Sequence, residues 1–174
     1  MEEKTTKYFR GKRVGTETYH EGDAFITKHY YDDKANNVKE IVTVKGTSKE
    51  IKYFTVNGVL SKTENFLKGV RHGIEIRYVI PKADESVKST KTYENAKLHG
   101  ECMTYGQNGN VIKQEVFALG KLVLKYVRKK DLDNEVEGIE IVDKESLKHL
   151  PEAAYDKLQS YMTENPEWFT VSDR

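Results

Sequence analysis

Apolar and polar residues alternate with period two through most of this chain. Ile74, Ile76, Tyr78 and Ile80 fall on one side, with Glu75 and Arg77 on the other. Val38, Val42 and Val44 alternate around Ile41 and Thr43, and Ile51, Tyr53 and Thr55 oppose Lys52, Phe54 and Val56. Leu122, Leu124 and Tyr126 oppose Val123, Lys125 and Val127. Such alternation predicts half-buried antiparallel strands. Asn57-Gly58 and the run Gln107-Asn108-Gly109-Asn110 supply the positive φ angles of tight hairpin turns. Asp32–Asn37 and Pro81–Lys88 read as longer, polar loops. The texture changes after residue 130: one short strand is expected at Gly138–Val142, and then a helix. Pro151 suits a first helical turn, and Leu150, Ala154, Leu158 and Tyr161 or Met162 form an i, i+4 stripe. Asn165-Pro166 ends that helix, and Trp168-Phe169 offers an apolar anchor. The helix is expected to pack on or cap the sheet.

A repeat underlies the strands. Phe54, Gly58 and Phe66 recur at identical spacing as Tyr105, Gly109 and Phe117. An aromatic-to-glycine step of three follows, Phe66 to Gly69 and Phe117 to Gly120; Tyr8 to Gly11 repeats it, and Tyr93 to Ala96 keeps it without the glycine. A second glycine comes four residues later in Gly15, Gly73 and Gly100, and aromatics stand five further on at Tyr78 and Tyr105. Each unit is a hairpin that cannot bury its own face, so units must stack.

These residues resemble the MORN repeat in its bacterial variant, roughly aromatic-x-Asn-Gly-Lys-x-x-Gly, then Tyr, then Gly. The best copies run from Phe66 to Tyr78 and from Tyr93 to Gly109; Tyr8–Gly15 and Phe117–Lys121 are partial. The match is clearest over 50–126, weak over 8–19, and leaves 20–49 and 131–174 outside. The resemblance implies a mainly β fold, an elongated antiparallel meander of stacked hairpins with a C-terminal α-helix. Two regions are expected: a repeat sheet over 1–130 and an acidic strand and helix over 131–174. Bacterial proteins with this variant include a YwqK-like antitoxin family, so the resemblance also implies a protein partner, a toxin or effector domain, and an immunity role.

Composition sharpens this picture. The 174 residues carry a net charge of only +1, but residues 1–130 hold 25 Lys and Arg against 16 acids, and residues 131–174 hold 4 against 12. A basic body with an acidic tail favours anionic partners, so anionic lipid or nucleic acid is the alternative to a protein. Cys102 is the one cysteine, which excludes an intramolecular disulfide. The opening Met-Glu-Glu-Lys-Thr-Thr-Lys has no apolar core and no run approaches a membrane span, so a cytoplasmic protein is expected.

Catalytic constellations are missing from the pattern. His72 and His99 occupy equivalent positions before glycines and read as turn residues, not as metal ligands, because no HExxH or CxxC spacing accompanies them. Cys102 lies in an alternating strand, where a cysteine behaves as a small hydrophobe. The expectation is a non-catalytic binding module with no cofactor and no metal. Arg71, Arg77, Tyr78, Tyr93, Lys97, Tyr105 and Tyr126 are the expected partner-contacting residues.

Overall fold

A computed structural model describes residues 7–9, 12–31, 37–80, 82–129 and 135–171. The loop expected at Asp32–Asn37 falls mostly outside these residues, closed by a hydrogen bond from the Tyr31 amide to the Asn37 carbonyl at 2.9 Å. The chain forms two compact units, 1–86 and 87–174. The charge boundary at residue 130 is therefore not a boundary in packing: the acidic segment belongs to the second unit.

The first unit holds β1 (Lys7–Phe9), β2 (Lys12–Val14), β3 (Thr16–Glu21), β4 (Ala24–Tyr30), β5 (Val38–Lys45), β6 (Ser48–Phe54), β7 (Leu60–Leu67), β8 (Val70–Arg71) and β9 (Gly73–Tyr78). β1 and β2 pair as a hairpin, β3 to β7 pair in chain order, and β7 also pairs with β8 and β9, all antiparallel. The expected Pro81–Lys88 loop is closed from within, by a 2.8 Å bond from the Val79 amide to the Ser86 carbonyl.

The second unit holds β10 (Val87–Glu94), β11 (Lys97–Leu98), β12 (Gly100–Tyr105), β13 (Val111–Ala118), β14 (Lys121–Arg128) and β15 (Val136–Ile141), then a 3-10 turn at Lys144–His149, α1 (Glu152–Glu164), a second 3-10 turn at Pro166–Trp168 and β16 (Phe169–Val171). The pairing is again an antiparallel meander, ending with β16 parallel to β15. The fold is thus mainly β with one C-terminal α-helix.

The repeat is clearest in one hairpin. β6–β7 and β12–β13 pair in the same register at an offset of 51 residues: Tyr53 pairs with Lys62 as Thr104 pairs with Lys113, and a bulge follows at Phe54 as at Tyr105. Gly73 and Gly100, the glycines after the two histidines, have φ of 84° and 112°. A Cβ on Gly100 would sit 3.3 Å from the Thr92 side chain, so the position requires glycine. The two-residue turns Lys68-Gly69, Asn95-Ala96 and Leu119-Gly120 have both φ angles positive, which is the twist-matched hairpin geometry. Ala96 holds φ +68° where the other copies use glycine.

The apolar core lies in the second unit. Leu150, Ala154 and Leu158 of the helical segment pack on Val116, Leu124, Tyr126 and Ile139, with Leu147, Tyr161 and Trp168 at the margin. Val123, Leu124 and Ile139 are fully buried. Of the two candidates for the last stripe position, Tyr161 turns inward, its ring 5.6 Å from that of Tyr126 and 5.8 Å from that of Trp168, and Met162 is exposed. A polar seam runs beneath the helix. Lys157 donates to Glu101 at 2.8 Å, Gln114 donates to Glu101 at 3.2 Å, and Arg128 donates to Gln114. Gln114 is 1% exposed, so this seam keeps a buried amide satisfied and fixes how the helix sits.

Among the described residues of the first unit no helix lies on the sheet, and the buried apolar residues are Ile26, Tyr30 and Leu60, each still 8–9% exposed. The expected alternation in β9 is inverted at its start, where Glu75 is 4% exposed and Ile74 is 48% exposed, and holds beyond it, where Arg77 is exposed between half-buried Ile76 and Tyr78.

Two outcomes follow. Leu158→Ala should cost about 3 kcal/mol, read by urea unfolding through the fluorescence of Trp168, the one tryptophan. Ala96→Gly should stabilise the second unit by about 0.5–1 kcal/mol, because relief of the left-handed strain outweighs the glycine's added chain entropy.

Candidate interaction surface

Cross-strand register sorts the side chains of the first unit onto two faces. Thr43, Glu50 and Asn65 are successive partners across β5, β6 and β7, and Val42, Ile51 and Glu64 are successive partners on the opposite face. The second set is flanked by a row running His29, Glu40, Tyr53, Lys62 and Arg77, strand by strand.

On that face two carboxylates are covered and their cations are not. Glu64 takes Lys62 at 2.7 Å and Arg71 at 3.2 Å; Glu75 takes Arg77 at 3.6 Å and Arg71 at 4.0 Å. The acids are 6% and 4% exposed, against 44% for Arg71 and 52% for Arg77. Burial alone would raise the Glu64 carboxyl. Hydrogen bonding to Lys62, the charges of Lys62 and Arg71, and a hydrogen bond with Tyr53 reverse that and hold it below its ordinary range. The same burial, with the Glu64 charge and hydrogen bond next in weight, pushes the Tyr53 phenol up to about 12. Lys62 also sits 4.6 Å from the centre of the Tyr53 ring, and Lys49 lies 4.6 Å from that of Phe66. The result is an outward layer of cations and aromatics over an inward layer of acid.

The opposite face carries an open cleft of about 500 Å³ whose lining includes Thr43, Ser48, Glu50, Asn65, Leu67 and Ile74. Asn65 donates its side-chain amide to the Ile74 carbonyl at 2.8 Å, which ties β7 to β9 at the cleft floor.

The seven expected contact residues divide. Arg71 and Arg77 are brought together, both on Glu75. Tyr78 is on the cleft face, its hydroxyl 3.4 Å from that of Thr63. Lys97 is exposed, and its side chain passes close to Gly120. Tyr93 and Tyr105 are half-buried, and the Tyr105 hydroxyl points to the Met103 sulfur at 3.6 Å. Tyr126 is not a contact residue: at 5% exposure it lies in the core under α1. Burial, ahead of the Glu101 charge, moves its phenol well above the usual range. Glu64, Glu75, Lys62 and Tyr53 were not expected. Their signal is legible in retrospect, since Lys62-x-Glu64 and Glu75-x-Arg77 each place opposite charges on one side of a strand.

His72 and His99 are not turn residues: each is the one-residue break between two short strands, after β8 and after β11, with its amide still donating to the neighbouring strand at Asn65 and Thr92. The His99 ring accepts from the Leu119 amide at 3.1 Å and meets Glu94 at 3.2 Å. Among the described residues no three His, Cys, Asp or Glu side chains gather as a metal site would require, and no helix is long and apolar enough to cross a membrane.

No protein-family model matches the chain, and no curated protein matches it. Similar solved structures include a crystal structure of TarM, at 18% identity and a TM-score of 0.42 over 58% of this chain. Another is a mutant of S. aureus TarM in complex with fondaparinux, α-GlcNAc-glycerol and UDP, at 17% identity and a TM-score of 0.43 over 62% of this chain. The match spans 19% and 21% of those chains, about a fifth of their length. A similarity this low fixes neither fold nor activity.

The depressed Glu64 carboxyl makes the first unit acid-sensitive. Its contribution is present above the ordinary carboxylate range and is lost as pH falls through the lower, folded-state value. Glu64→Gln should cost about 1–2 kcal/mol at pH 7, because water lies one side chain away in a sheet without a second layer. The gap between wild type and variant should close on acidification. Hydrogen exchange of β7 amides between pH 7 and 3 reads this directly, and a constant gap would show that Glu64 is not the titrating group.

Proposed function

We propose that the chain is a non-catalytic protein-binding module of MORN-repeat type, acting as an immunity or antitoxin-type protein that occludes a toxin or effector domain. One observation carries this reading: among the described residues, the first unit folds as strands whose side chains are largely half-exposed, with no helix laid on them. A sheet presenting Tyr53, Phe66, Arg71 and Arg77 outward has the residue types that protein interfaces favour. Occlusion needs a broad complementary surface and no reacting group, which suits a face where the acids are sequestered and the cations are displayed.

The alternative partner is an anionic surface, lipid head groups or nucleic acid. The observation favouring it is the same inversion of charge: Arg71 and Arg77 are outside and Glu64 and Glu75 are beneath them. The two readings differ in their salt dependence. A counterion-release interaction weakens steeply as salt rises, whereas an interface with an aromatic core retains most of its affinity.

The test is capture of the tagged protein from its native cells at low and at moderate salt. A single stoichiometric protein that survives moderate salt is the expected result, and Arg71→Glu with Arg77→Glu should then weaken its binding roughly tenfold or more. RNA, DNA or lipid lost as salt rises would replace the protein-binding reading with the anionic-surface one.

A further inference from the structure

The 51-residue repeat offers an internal control for the uncovered sheet. In the second unit, α1 covers the face that carries Glu101, Gln114, Val116, Leu124 and Tyr126. The offset and the matching register place Glu50, Thr63 and Asn65 of the first unit at the positions of Glu101, Gln114 and Val116. Ile74, tied to Asn65 through its carbonyl, stands where Leu124 pairs with Val116. Leu67 stands where Ala118 does. This is the face that bears the cleft.

The two faces differ in cover. Leu124 is fully buried and Ile74 is 48% exposed. Glu101 receives Lys157 of the helix at 2.8 Å, whereas Glu50 pairs, among the described residues, with Lys52 of its own strand at 4.0 Å. The cleft therefore has the floor of a helix seat, its apolar residues and its acidic receptor, with no helix of its own unit on it.

We infer that this cleft is the docking site for an amphipathic helix of the partner protein, one with an Ala/Leu stripe seated on Leu67 and Ile74 and a lysine directed at Glu50. The chemistry is read from α1, where Ala154 and Leu158 form the stripe and Lys157 supplies the cation. Lys45 also lines the cleft and favours an acidic residue on the flank of that helix, as Glu152 and Asp156 flank α1. Seating a helix in a groove by i, i+4 anchors is an established recognition mode. This inference deepens the protein-binding reading and rests on it.

The probe is a synthetic peptide of residues 147–168, titrated into the intact chain labelled at isoleucine and leucine methyls. Saturable shifts at Ile74 and Leu67 are expected. Ile74→Asp, at a half-exposed position, and Glu50→Lys, on the surface, should each weaken binding roughly tenfold. No shift up to millimolar peptide overturns the inference. So do shifts confined to Leu124 and Leu158, which would mean that the peptide merely replaces α1. Concentration-dependent shifts at Ile74 without peptide would assign the cleft to a second copy of the chain and overturn it likewise. A captured partner that binds wild type and Ile74→Asp equally would remove the helix seat and leave the protein-binding function standing.

Discussion

A β-sheet that is not closed into a barrel has two faces, and each apolar residue on an uncovered face forfeits the favourable burial that offsets the entropy of ordering the chain. That constraint organises this protein. In the second unit one helix meets it: Ala154 and Leu158 lie against Val116, Leu124 and Ile139, and together they form a buried apolar cluster. Burial of each such aliphatic side chain is worth about 1.5–3 kcal/mol. The polar seam of Lys157, Glu101, Gln114 and Arg128 does a different job. Lys157 anchors the helix to Glu101, and Glu101 and Arg128, both on the sheet, satisfy the buried amide of Gln114.

In the first unit the same constraint is met laterally. Among its described residues, side chains cover one another within the face. Tyr53 lies under Lys62, Phe66 under Lys49, and Glu64 and Glu75 under Arg71. Cation–aromatic and cation–carboxylate pairs of this kind tolerate water at their edge, which an aliphatic cluster does not. The arrangement stabilises the strands and leaves the outer layer chemically available to something else.

Much of this was legible in the sequence, and the remainder was hidden for identifiable reasons. Period two located the strands, and the spacing of Phe54, Gly58 and Phe66 against Tyr105, Gly109 and Phe117 located the repeat down to its bulge. Pro151 and the Leu150, Ala154, Leu158 stripe located the helix. Alternation alone does not say which side of a strand faces inward. Apolarity chose Ile74, and the structure chose Glu75, because Arg71 and Arg77 bring it cover that no aliphatic neighbour brings to Ile74. Tyr126 was misassigned as a contact residue for a related reason: a tyrosine in an alternating strand reads the same whether a helix covers it or water does, and its cover arrives from residues 150–168, far along the chain. The charge boundary at residue 130 drew attention away from that packing, since acidic composition describes the outer side of α1 and not its inner stripe.

The bulges at Phe54 and Tyr105 have a bearing on how such a chain changes over generations. Because the turn and the bulge recur together, the β6–β7 and β12–β13 hairpins enter their second strands with the same facing and the same hydrogen-bonding phase. A single residue inserted between Thr55 and Val59 shifts that phase and turns all of β7 over. Turn length at these two hairpins is therefore locked.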